Sequence, residues 1–314
     1  MAIKGLVYKE LRNSILIIPI TIAVLALHLP YIIWEHYALF DQQNIHVFDK
    51  MIIGPLVLLP FFLAIRLIGG EKRHSVMDFT LSLPYSRSHI FWTKWLIGAL
   101  SILISLLLSF SLSQILLQYA HARIDGSLLH FLFYTGSMLL LVFTVVFTAG
   151  CFAGTSFSQA FLSWGIFMFP SILLYLVWSH IQIFTGSILP SEGLLWEIRH
   201  IFSGNQFLFY NDQLTYPQIG LYLAIVICFL LVGYFSFLKL PAERNGNFFL
   251  WKHWNVPFLV LIGIFGVFWF ALKLYSGTGK MTGGYIAGIL IGAFLLGIAV
   301  YRIRFKKTKL VKAD

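Results

Sequence analysis

Long, uninterrupted apolar runs separated by short polar connections dominate this chain. Eight runs stand out, at about 14–34, 51–69, 91–119, 130–153, 158–180, 217–238, 255–275 and 284–303. Each approaches the roughly 20 residues that an α-helix needs to cross the hydrocarbon core of a bilayer. Continuous hydrophobicity over that length argues against barrel strands, whose lipid-facing and lumen-facing positions alternate. The pattern predicts an all-α polytopic membrane bundle of about eight transmembrane helices, with a tight hairpin near Gly154–Ser158 between the fourth and fifth. Composition agrees. Charged residues are 11% of the chain, against about 25% in soluble domains, whose surfaces must stay wet.

Basic residues orient the bundle. With a cytoplasmic N-terminus and eight spans, only Lys50, Arg123, Arg199, Lys273 and Lys280 of the 22 basic residues fall outside. The rest flank the inner ends, including Arg66, Lys72, Arg73, Arg87, Lys94 and the tail Arg302–Lys312. Positive charge collects on the cytoplasmic side of membrane proteins, so both termini are expected there. The net charge of +10 is thus mostly a topology signal, and the tail can also contact acidic lipid headgroups. No folded basic domain is expected to present that charge to a nucleic acid. The N-terminus shows no cleavable signal pattern.

Finer features follow. Residues 1–13 read as an amphipathic helix at the inner interface, with Ile3, Leu6, Val7 and Leu11 on its apolar side and Lys4, Lys9, Glu10 and Arg12 mostly elsewhere. Simple positive flanking of the first span is the plainer reading. Pro19, Pro30, Pro55, Pro60 and Pro170 interrupt spans and favour kinks. Ser101, Ser105, Ser109 and Ser113 recur every fourth position, as do Gly284, Gly288 and Gly292. Such ladders allow close helix approach, and the serines are also candidates for lining a translocation path. An external segment at about 181–216 is long enough for short helices at the outer leaflet.

The most informative connection is cytoplasmic. It runs Glu71-Lys72-Arg73-His74-Ser75-Val76-Met77-Asp78-Phe79-Thr80-Leu81-Ser82-Leu83-Pro84-Tyr85-Ser86-Arg87, with Lys94 soon after. Val76, Phe79 and Leu83 share one helical face. Pro84 ends that helix, and Ser86 is placed to cap the next. An amphipathic helix outside the bilayer needs a cover for its apolar face, either the membrane surface or a soluble partner.

This stretch resembles the loop of ABC-2-type ABC transporter permeases, in which an acidic residue, a short amphipathic helix and a Leu-Pro-x-Ser-Arg turn precede a span opening with lysine. Glu71, Asp78, Leu83, Pro84, Ser86, Arg87 and Lys94 match that pattern. The order of elements over residues 1 to about 240 is also similar, and the last two spans are extra. The connection Pro241–Gly246 is similar to that of bacillar permeases of the acetoin-utilisation and cell-envelope-stress (Ytr) type. The resemblance implies a division into an interfacial helix at 1–13, a six-span core at 14–240, two added spans at 241–304 and a cytoplasmic tail at 305–314. It implies that 71–83 is a coupling helix docking on an ATP-binding subunit, with Arg73, Val76, Met77, Asp78, Phe79 and Leu83 as the docking residues. It further implies a bacterial plasma-membrane exporter that pairs with a second permease, alike or related, and whose ATP and magnesium are held by the partner subunit.

Chemistry within the chain is sparse. Gly277-Thr278-Gly279-Lys280 is not a phosphate loop, because Leu274 and Met281 stand where Gly and Ser or Thr are required. No zinc-protease or serine-nucleophile motif is present, the two cysteines have no metal-ligand spacing, and His28 is the one histidine expected near mid-span. No catalytic or metal-ligating residue and no cofactor are expected in this chain. Acidic residues fall outside the expected span interiors, which counts against an ion-coupled carrier. A non-transporting membrane anchor or assembly protein, or a polytopic membrane enzyme, is the alternative.

Overall fold

The computed structural model describes residues 2–40, 44–45, 54–75, 80–82, 84–121, 123–124, 127–185, 216–241, 247–251, 255–278 and 281–310. Every one of the eight apolar runs falls on a helix. The helices are α1 (Ala2–Asn13), α2 (Ile17–Phe40), α3 (Gly54–Ile68), α4 (Arg87–Ala120), α5 (Leu128–Phe152), α6 (Ser156–Thr185), α7 (Tyr216–Leu238), α8 (Asn255–Thr278) and α9 (Ala287–Leu310). A 3-10 helix at Gly69–Ser75 follows α3, and a π-helical turn at Met281–Ile286 leads into α9. Helices α2, α4, α5, α6, α7 and α8 are long and apolar enough to span a membrane; α3 and the apolar part of α9 are shorter. Asn44–Ile45 (β1) and Arg123–Ile124 (β2) form a two-residue parallel pair that ties together the connections after α2 and α4.

Local chemistry explains several boundaries. Ser86 Oγ accepts the His89 N–H at 3.2 Å and starts α4, as expected from the sequence. Ser127 does the same for α5. Pro30, Pro60 and Pro170 lie inside helices. Pro19 and Pro55 instead sit in the first turns of α2 and α3, where no intrahelical donor is lost and no kink is required. The kinks expected at those two positions are therefore withdrawn.

The chain groups into two compact units, Met1–Met168 with His200–Trp251, and Phe169–Arg199 with Lys252–Asp314. In the first unit α5 is the central helix, with 78% of its apolar window buried. Phe91 of α4 meets Phe147, Tyr234 and Phe237 at ring separations of 5.4–5.6 Å. The opposite side of α4 turns Leu96, Leu100, Leu103 and Leu107 outward, as a lipid-facing helix must. Ser101, Ser105, Ser109 and Ser113 are all buried within the bundle. Ser101 donates to its own helix at Ile97 O (2.7 Å), so its hydroxyl needs no water.

In the second unit the glycine ladder brings two helices together. A Cβ on Gly288 would lie 2.6 Å from Ala271 Cα, and one on Gly292 would lie 3.2 Å from Val267 Cα. Backbone contact of this kind needs the missing side chain. Gly288→Leu is expected to pry α9 from α8 and to cost about 1–3 kcal/mol, as overpacking generally does. Thermal unfolding in detergent reads the change, and an unaltered midpoint would show that the two helices do not depend on this contact.

Candidate functional site

The connection between α3 and α4 is held to the rest of the first unit by charge. Lys94, on the first turns of α4, is fully buried. Its Nζ donates to Glu10 Oε2 at 2.6 Å and to Leu67 O at 2.9 Å, and lies 3.0 Å from Glu71 Oε2. Lys9 Nζ bonds Glu71 Oε1 at 2.9 Å and Thr80 Oγ1 at 2.6 Å, and lies 3.5 Å from Glu10 Oε1. Two ammonium groups and two carboxylates thus form a closed, neutral cluster drawn from α1, the 3-10 helix and α4, with Thr80 of the loop attached. Burial pushes the Glu71 carboxyl up, but the Lys94 and Lys9 charges outweigh it and hold the group below its ordinary value. Glu71 therefore stays ionised at neutral pH.

Three further cations from the same stretch each grip a helix C-terminus. Arg66 donates from Nε and Nη2 to Asn13 O, the end of α1, at 3.2 and 2.9 Å. Lys72 donates to Gly150 O and Ala153 O at the end of α5. Arg87 donates from Nη1 to Leu238 O and Leu240 O at the end of α7, at 2.9 and 3.0 Å. Unpaired carbonyls and the negative end of the helix dipole make each terminus a natural seat for a cation. Burial pulls the Lys72 amine down to about 8, which still leaves it mainly charged at neutral pH. Ser156, opening α6, adds a hydrogen bond to Gly69 O at 2.8 Å.

A backbone clasp completes this end of the unit. Gly154 N donates to Phe248 O at 3.1 Å and Leu250 N donates to Phe152 O at 2.9 Å, with Ala153 and Phe249 paired antiparallel between them. The short α5–α6 turn is thereby sewn to the segment that follows α7. The ends of α1, α3, α5 and α7 and the starts of α4 and α6 are consequently gathered at one end of the first unit, as alternating crossings require.

Of the residues expected to dock a partner, Val76, Met77, Asp78, Phe79 and Leu83 lie outside the described residues, and so does the side chain of Arg73. Of the matching pattern, Glu71, Arg87 and Lys94 are drawn into the anchorage just described, while Ser86 caps α4. Most members of that anchorage were not singled out from the sequence, among them Lys9, Glu10, Arg66, Lys72 and Thr80. Glu10 is the clearest correction, since it was placed with the polar side of α1 and is buried. The inward stripe of α1 is Leu6 and Glu10, continued by Ser14 just beyond its end at a spacing of four, while Leu11 faces outward. That spacing was readable, but a glutamate on it gives no sign of Lys94, its partner 84 residues away.

No protein-family model matches the chain and no solved structure matches it. Two curated relatives do. Over 334 residues it is 30% identical to the probable ABC transporter permease YtrC of Bacillus subtilis, covering 98% of this chain and all of that protein. Over 328 residues it is 30% identical to the probable ABC transporter permease YtrD of the same organism, covering 98% and 99%. The chain belongs to the ABC transporter permeases, a class with which its apolar helical bundle agrees. Within that class it is a permease of the Ytr type.

Proposed function

We propose that this chain is the membrane-spanning subunit of an ATP-driven exporter, forming part of the translocation path and receiving its driving force through residues 71–83. In this reading residues 14–240 are the permease core, both termini are cytoplasmic, and a second permease and ATP-binding subunits complete the assembly. ATP and magnesium are held by those subunits.

The single observation that carries the reading is the anchorage of the 66–94 stretch. Cations at 66, 72 and 87 hold the ends of α1, α5 and α7, and Glu71 is locked between two lysines. A load applied to the loop is therefore shared by several helices at once instead of being lost in a flexible connection. Rigid elements joined in this way move as a body. The docking face is assigned by its apolar periodicity and by family resemblance, with Phe79 at its centre.

Phe79→Asp is expected to abolish co-purification with the ATP-binding subunit and to remove stimulation of its ATPase by the permease, while Phe79→Leu retains both. Intact complex formation and stimulation in Phe79→Asp would refute the assignment. A chain that serves only as a membrane anchor would show no nucleotide-dependent change in the bundle.

A further inference from the structure

The second unit contains a cleft of about 500 Å³ between the C-terminal thirds of α6 and α8, a size within the range of small-ligand sites. Tyr175, Ser179 and Gln182 line it from α6, and Trp269, Lys273 and Ser276 from α8. Among the described residues its lining contains one formal charge and no carboxylate. Lys273 makes no ion pair among the described residues; its Nζ rests 5.8 Å from the centre of the Trp269 ring, which in turn lies 5.9 Å from Tyr175.

The position of Lys273 matters as much as its charge. It stands near the end of the apolar stretch Val260–Gly277, about 6 Å of helix rise from the last of those residues. An ammonium at that depth is costly unless it reaches water or an anion. The hydroxyl and amide groups of Tyr175, Ser179 and Gln182 can donate to an anion, and among the described residues no acidic group lines the cleft to repel one. On the cleft side, α6 exposes Ile172 one turn before Tyr175, and α8 exposes Leu261 and Ile262 two turns before Trp269. The polar site near the span ends therefore continues into an apolar surface for about 12 Å of helix rise.

We propose that this cleft binds an amphiphile with a single anionic head, phosphate or carboxylate, whose apolar chain lies along α6 and α8. Lys273 pairs with the head, the neutral donors orient it, and the Trp269–Tyr175 wall covers the first carbons of the chain. A membrane lipid and an amphiphile arriving from solution share this chemistry. The assignment concerns binding alone and does not depend on the exporter reading.

The test uses the full chain in phosphatidylcholine nanodiscs, titrated with dodecyl phosphate, with empty discs subtracted. Saturable change in tryptophan emission is expected, and Trp269→Phe should lose most of it. Lys273→Gln should weaken binding by about tenfold or more, the scale of one charge-assisted pair. Lys273→Arg should stay close to the wild type, and Lys239→Gln, far along the sequence, should not differ from it. Anionic lipid added to the discs should compete if the membrane is the source; failure of that competition with retained dodecyl phosphate binding points to an amphiphile from solution. Both outcomes support the site. Equal affinity in Lys273→Gln, as for a lysine that only reaches for the membrane surface, overturns it. So does equal competition by dodecyl maltoside, or displacement by inorganic phosphate at matched concentration, which would assign the cleft to a free anion.

Discussion

Lys94→Met is expected to be the most damaging single substitution in the chain, lowering stability by about 3–5 kcal/mol, the usual cost of stripping one partner from a buried ion pair. The ammonium removed is fully buried and serves two carboxylates. Glu10 and Glu71 would remain, both buried, with only Lys9 to balance them. Lys9→Met should cost less, because the Lys9 side chain keeps 23% exposure and water can partly replace it. Removing charge in pairs, as in Glu10→Gln with Lys94→Met, should recover part of the loss.

The pH dependence provides a second reading of the same cluster. In the native chain the Glu71 carboxyl lies below its ordinary value of 4.5, so the folded state binds fewer protons than the unfolded state there. Its contribution is fully present above 4.5 and is lost as pH falls through the lower folded value. In Lys94→Met the stranded carboxylate is destabilised by burial and by its neighbour, which raises its protonation range. Mild acid should then stabilise the variant while leaving the native chain unimproved. Thermal unfolding in detergent at several pH values tests both statements. A Lys94→Met midpoint within a degree of the native one would mean that the cluster does not hold the loop.

Gly154→Ala is expected to release the clasp behind α7 at a cost of about 3 kcal/mol. Even one methyl has no room, since a Cβ at this position would lie 2.0 Å from Asn247 O and 2.9 Å from Asn247 C. These are backbone atoms and cannot rotate away. The turn would have to withdraw from residues 247–250, losing the two hydrogen bonds there and exposing Phe249 and Leu250, which are buried. Each lost bond contributes about 1 kcal/mol, and each large apolar side chain about 1.5–3 kcal/mol when fully exposed, so partial exposure suffices for the stated cost. Hydrogen exchange of the Phe249–Trp251 amides should accelerate by roughly 100-fold, in line with that free energy. Unchanged exchange would show that the turn accommodates a side chain, and the clasp would lose its structural standing.

The membrane fold was legible because a span must be apolar along its length. That requirement acts on consecutive residues, so a reading of the chain alone finds it. Capping is similarly local, and Ser86 was placed at its helix start for that reason. Gly288 and Gly292 of the glycine ladder also found their role, since a spacing of four keeps both on one helix face. The two early prolines were misjudged because their effect depends on a helix start that composition blurs by a few residues.

Partnership over long separations was not legible. Glu71 and Lys94 drew attention through a family pattern, but nothing in their neighbourhood named Glu10 or Lys9 as partners. Lys72 resembled any basic flank of a span and Arg87 stood out only through the family pattern, yet each occupies the end of a helix more than 70 residues away. Their targets are backbone carbonyls, which every residue carries, so no side-chain type marks the destination.

By itself the sequence determined that this protein lives in a bilayer and where its spanning helices lie. Those properties follow from hydrophobicity and periodicity, which are summed over neighbours in the chain. Only the tertiary structure decided which charges are buried, which helix ends they hold and where a cation is left beside an aromatic wall. Electrostatic energy depends on distance and burial in space, and both are set only when the helices have packed.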